Sequence, residues 1–216
     1  MTGRTYGGLF VAEGTSDLPL ADIVETLFLD RGVSLHLSRP DFSLLPKVSK
    51  DVGSRLLAGR ELLHGRVDVV VVHRDADGAG QRARFDEISD AVAATEISSH
   101  LVPIIPVRMT EAWLLLDEQA IRTVAGNPRG RTTLSLPRHH EVEGVYDPKA
   151  VLRQAVLEAA SVTGRRRDRL DRRFSENRRQ LLERLDPHGP VSRLPSWCSL
   201  IAAVDAVLGT WTSDRR

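Results

Sequence analysis

Val69, Val70, Val71 and Val72 stand side by side, and this run constrains the fold more than any other feature of the chain. Branching at Cβ disfavours a helix, and the lack of polar alternation means that both faces of the resulting strand must be covered. Two more runs share this character, "GGLFVA" from Gly7 and "HLVPIIPV" from His100. A fourth, "VSLHLS" from Val33, is weaker and reads as an edge strand.

The segments between these runs have helical spacing. Leu20, Ile23, Val24, Leu27 and Phe28 fall on one face, and Gly32 supplies a stop. "SKDVGSRLLAGRELLHG" from Ser49 and "QRARFDEISDAVAAT" from Gln81 follow the same logic. Regular alternation of strand and helix predicts an α/β fold, a doubly wound, mostly parallel four-stranded sheet flanked by helices.

Beyond Val107 the strand signal ends. "MTEAWLLLDEQAIRTVAG" reads as helix, residues 127–147 as a loop or short excursion, and three helical stretches begin near Pro148, Arg165 and Pro195. The expected division is an α/β core over 1–118 and a C-terminal helical layer over 119–216, packed on that core.

Composition narrows the function classes. The 30 basic and 29 acidic residues nearly cancel, so net charge names no partner and only its distribution can. At 41% hydrophobic and 27% charged residues, wholesale disorder is excluded. One cysteine, Cys198, excludes an internal disulfide framework and argues against a thiolate zinc site. The first ten residues lack an apolar leader, and no stretch approaches the roughly eighteen apolar residues of a membrane span. The expectation is a cytoplasmic protein with no membrane partner.

In an open parallel sheet, ligands bind beyond the carboxyl ends of the strands, and two of the predicted strands run into acids. The first leads into "EGTSD", with Glu13 at its tip, Gly14 for a tight turn, Thr15 or Ser16 to cap the next helix and Asp17 in its first turn. The third leads into "RDADG", where an extended backbone would put Asp75 and Asp77 on one side. Each motif alone has a plain reading, as a helix start or a turn. Together at one rim, such carboxylates repel, and a divalent cation resolves the conflict: oxygen ligands suit magnesium or manganese, which engage substrate phosphates.

An acid and glycine after the first strand, with Asp-x-Asp after the third, resembles the Toprim core of topoisomerases, primases and the nucleases associated with overcoming-lysogenization-defect proteins. Glu13, Asp75 and Asp77 match that pattern, and Asp17 matches the extra acid of the nuclease branch. Glu111, Ala112, Trp113, Pro148 and Lys149 match a Glu-Ala-Trp segment and a Pro-Lys pair found in short bacterial Toprim-like proteins. The resemblance spans about residues 8–160, with an echo in "LPSWCSLIAAV".

The resemblance implies a Toprim-type fold and magnesium-dependent cleavage of phosphodiesters in DNA or RNA. Glu13 would be a ligand or general acid/base, Asp17, Asp75 and Asp77 metal ligands, and Glu111 part of a second metal site. Lys149 would stabilise negative charge in the transition state. It also implies an effector in bacterial anti-phage defence or a toxin-like system, gated by an ABC-type ATPase partner, and it leaves oligomerisation open. With only Tyr6 and Tyr146 available and no flanking topoisomerase or primase domain, strand passage by a tyrosine nucleophile is disfavoured.

Trp113 reads as a core residue, whereas Glu111 suits a cap or a ligand equally. The most basic stretch runs from Gly164 to Asp186. Leu170, Phe174, Leu181 and Leu185 form its packing face, and Arg165, Arg166, Arg167, Arg169, Arg172 and Arg173 project outward as candidate phosphate contacts. The ordinary alternative is a solvated, salt-bridged face. Aromatic residues at 5% give no stacking platform for a single strand. His139 and His140 read as surface residues, leaving His73 alone near the acids.

Two further readings compete. A non-catalytic Toprim-like module could bind nucleic acid or an ATPase partner and use its acids structurally. A dehalogenase-type phosphatase also carries Asp-x-Asp after a strand, but here His73 and Arg74 intervene and Gly78-Ala79 follows. No Walker loop or Gly-x-Gly-x-x-Gly motif is present.

Overall fold

The computed structural model describes residues 5–45, 48–63, 66–95, 97 and 99–213. Residues 1–4, and His64 and Gly65 at the end of the second helical segment, lie outside them. The chain forms two compact units: a sheet unit of Met1–Arg74, Gln81–Ile105 and Cys198–Arg216, and a helical unit of Asp75–Gly80 and Pro106–Trp197. Neither is continuous in sequence, so no single cut near residue 118 separates them.

The sheet unit contains β1 (Tyr6–Val11), β2 (Leu35–Ser38), β3 (Val69–His73) and β4 (His100–Ile104). They lie in the order β2-β1-β3-β4, and every pairing is parallel. The valine run is fully buried in the centre, as its lack of alternation requires. "VSLHLS" is an edge strand. So is β4, read from sequence as a buried strand: Pro103 has no N–H for a second neighbour and is tolerated where one side of the ladder is open.

Helices α1 (Pro19–Leu29), α2 (Val52–Leu62) and α3 (Gln81–Ala94) match the three helical segments, and Gly32, at φ +76°, ends the first as expected. Alternation along the strands sends Leu9, Val11, Val70 and Val72 into a cluster with Val52 and Leu56 of α2 and Ile88 of α3. The last helix, α9 (Pro195–Ser213), contributes Trp211, which stacks on Tyr6 at 3.8 Å and tilts against Phe28 at 5.5 Å. Asp205 of α9 also accepts from Arg31 Nε at 2.5 Å.

In the helical unit the sequence segments are more broken than their periodicity suggests. "MTEAWLLLDEQAIRTVAG" divides into α4 (Glu111–Leu114) and α5 (Glu118–Val124), because Asp117 caps a new helix by accepting from Ala120 N at 2.8 Å. α6 (Pro148–Ala160) starts where the Pro-Lys pair predicts it, with Asp147 as cap. The arginine-rich stretch divides at Arg173 into α7 (Gly164–Arg172) and α8 (Phe174–Glu183), where the Arg173 N–H returns to Leu170 O. Among the described residues no helix is long and apolar enough to cross a membrane.

Candidate functional site

Strand order reverses between β1 and β3, the position at which open α/β sheets place their ligands. In register, Val11 faces Val72, and the chain runs on from these strands into Glu13 and Arg74. Arg74 Nη1 pairs with Glu13 Oε1 at 2.5 Å, and its Nη2 reaches Glu87 at 3.2 Å. The predicted acid at the strand tip is thus held by a guanidinium, although its side chain is 42% exposed.

Asp17 is more enclosed than a residue of a solvated first turn. It is 6% exposed, ends a short 3-10 turn over Thr15–Asp17, and comes within 4.0 Å of His73 Nδ1. Capping by Thr15 or Ser16 does not occur: α1 begins after Leu18, with Pro19 in its first turn and no side-chain cap bond.

The sheet unit also holds a cavity of about 370 Å³ lined by Glu13 and Thr15 after β1, Asp41 and Phe42 after β2, and Lys50 and Arg55 at α2. Arg55, 8% exposed, donates through Nη1 to the Ala12 carbonyl and lies over the Phe42 ring at 5.5 Å. Burial pulls its pKa below the ordinary guanidinium value; Glu13 counteracts this and Arg74 adds to it.

In the helical unit, Asp75 Oδ1 accepts from Thr110 N at 2.9 Å and from Thr110 Oγ1 at 3.1 Å. Asp77 has φ +47°, so the backbone turns at that residue and the extended alternation expected to align it with Asp75 does not hold. Its N–H donates to Arg108 O at 2.9 Å.

Glu111, 3% exposed, accepts from Arg178 Nε at 2.8 Å. Trp113, fully buried, packs edge-on against Trp197 at 5.0 Å and donates to Ser196 Oγ at 2.9 Å, which is the core role expected of it. Lys149 is exposed on the first turn of α6 and makes no ion pair among the described residues.

The six arginines divide. α7 has no buried residue. Arg173 pairs with Glu176 at 2.8 Å, and Arg167 and Arg172 lie near Asp171, which Arg153 holds. Arg165, Arg166 and Arg169 make no ion pair among the described residues and are exposed.

Sequence reading missed Lys50, Arg55, Arg74 and Arg178 as site-forming residues. Arg178 had a signal: it lies four residues from both Phe174 and Leu182, on the buried stripe of α8. Arg55 likewise follows Val52 by three and precedes Leu56, in phase with the buried face of α2.

Glu13, Asp17, Asp75 and Asp77 are all carboxylate donors, the right chemistry for a hard divalent cation. Glu111 fits that role poorly, since ligating a hydrated ion would require it to leave a buried ion pair with Arg178. Among the described residues no three His, Cys, Asp or Glu side chains gather closely enough to hold a metal ion. Comparison with family models, with curated proteins and with solved structures finds no match to this chain.

Proposed function

We propose that this chain is a divalent-cation-dependent phosphodiesterase of Toprim-like type, acting on nucleic acid. The observation that carries the reading is the strand order: the two strands flanking its reversal, β1 and β3, are the two whose sequences run directly into the acidic motifs at Glu13 and Asp75. When bound, magnesium would polarise a phosphoryl oxygen and lower the pKa of its water. Glu13, Asp17, Asp75 and Asp77 are the ligands of this reading. Thr110 holds Asp75 and Arg74 holds Glu13, and a bound cation would have to compete with Arg74 for the Glu13 carboxylate. The exposed Arg165, Arg166 and Arg169 supply phosphate contacts, and Lys149 a further cation.

The pairing of Glu13 with Arg74 favours a second reading, in which the module binds nucleic acid without cutting it. One experiment separates the two. Plasmid, single-stranded DNA and RNA are incubated with the protein and with its Asp75→Asn variant, in magnesium, manganese or chelator. Cleavage that needs both the metal and Asp75 supports the hydrolase. Retention of nucleic acid with no cleavage under any metal overturns it in favour of the binding module.

A further inference from the structure

The cavity in the sheet unit is lined by Glu13 and Asp41 as well as by Lys50 and Arg55, and Arg55 among them is buried with part of its hydrogen-bonding capacity unmet. Arg74 is flanked by Glu13 and Glu87, so the Glu13 carboxylate already has a counter-charge. Lys50 and Arg55 also line the cavity, and neither has a carboxylate hydrogen-bond or ion-pair partner among the described residues. Lys50 is exposed and keeps its hydration. Arg55 is 8% exposed and does not.

A guanidinium carries five N–H donors. Among the described residues, Arg55 makes its side-chain hydrogen bond from Nη1 to the Ala12 carbonyl, and its buried Nε has no acceptor. The neighbouring Arg74 Nε is buried without an acceptor as well. Both arginines pack beside Lys50 and Glu13. A buried guanidinium N–H without an acceptor is costly, and an oxyanion from outside would relieve it.

We infer that this cavity binds a phosphate monoester carried on a nucleotide, with Arg55 and Lys50 as the contacts to the phosphate. Arg55 suits an oxyanion because its planar fork pairs with two oxygens at once, and Lys50 adds a mobile point charge at the mouth. Phe42 and Pro40 provide an apolar wall for a flat ring. A volume of about 370 Å³ lies within the range of small-ligand pockets. The phosphate arrives either on a free mononucleotide or on the 5′ end of a strand. Its recognition does not depend on hydrolysis, and the acids of the helical unit take no part.

The test is equilibrium binding in chelator, where no metal-dependent cleavage occurs, so its outcome is independent of the hydrolase reading. Adenosine 5′-monophosphate, adenosine, and a thymidine tetramer with a 5′-phosphate or a 5′-hydroxyl are titrated into the full chain by calorimetry. The phosphorylated member of each pair should bind at least about tenfold more tightly, the effect of one charge-assisted contact set. The Lys50→Gln substitution, at an exposed position, should lower that affinity about five- to tenfold with unchanged thermal stability. Arg55→Gln should lower it further.

Tighter binding of the mononucleotide identifies the free ligand, and tighter binding of the phosphorylated tetramer identifies the strand end. Equal affinity within each pair, binding by none of the four, or full affinity in Lys50→Gln overturns the inference. Should Arg55→Gln fail to fold, the Lys50→Gln comparison decides alone.

Discussion

Arg178 Nε donates to Glu111 Oε1 at 2.8 Å, and the two side chains are 8% and 3% exposed. Glu111 opens α4 and Arg178 lies in α8, so the pair fixes two helices of the helical unit to each other. Desolvating both charges is costly, and removing Arg178 is costlier still, because Glu111 is left buried without this counter-charge.

Arg178→Met is therefore expected to destabilise the helical unit by about 3–5 kcal/mol. The double variant Glu111→Leu/Arg178→Met should recover most of that loss. Urea unfolding of the four proteins of this double-mutant cycle checks it. A mild Arg178→Met effect would mean that the pair is solvated.

Asp51 caps α2 by accepting from Ser54 N at 2.8 Å. The Ser49 hydroxyl, followed by the Ser54 backbone and side chain, brings its pKa down from 3.8 to about 2. A lowered folded-state pKa means that the contribution is complete above the unfolded value and is lost as pH falls from about 4 toward 2. Asp51→Asn should keep the cap and flatten this part of the acid limb. Asp51→Ala should cost about 1 kcal/mol at neutral pH. Unfolding midpoints measured across the acid range distinguish the two.

Gly8 sits in the middle of β1 with no room for a side chain. A Cβ there would meet Leu37 Cδ2 at 2.6 Å and the Val69 carbonyl oxygen at 2.7 Å. The Val69 oxygen belongs to the sheet backbone and cannot rotate away. Gly8→Ala is expected to destabilise the sheet unit by about 1–3 kcal/mol. Gly78→Ala, where a Cβ meets nothing within 4 Å, serves as the near-neutral control. Denaturant titrations of both variants provide the comparison.

The α7 arginines make a prediction about salt. If Arg165, Arg166 and Arg169 each neutralise one phosphate, replacing all three with alanine should reduce the slope of log affinity against log salt by about 0.9 per lost contact on duplex DNA. The loss should be uniform across sequences, because phosphates carry no base identity. Fluorescence anisotropy in chelator over a salt series measures it. An unchanged slope would assign these arginines to solvent.

The sheet was legible in the sequence because its cause is local. Four valines without alternation require a strand covered on both faces, and the Leu20 to Phe28 pattern requires a helix to cover one. The breaks at Asp117 and Arg173 were not legible from periodicity, since apolar spacing continues across both while the backbone turns. At the candidate site, the acids were visible by type and position after strands. Their partners were not: Arg74, immediately before Asp75, and Arg178, beside another arginine, look like ordinary surface charges until the fold assigns them carboxylates. Asp77 shows the same limit, because its left-handed backbone depends on the turn that Arg108 O closes.

Stacking of Trp211 on Tyr6 ties β1 to α9, two elements far apart in sequence. During translation, β1 must wait for α2 to α8 and the strands between them before its aromatic cover arrives. Long-range closure of this kind slows folding and leaves apolar surface uncovered meanwhile. A ribosome stalled before Trp211 would therefore hold a nascent sheet open to a chaperone.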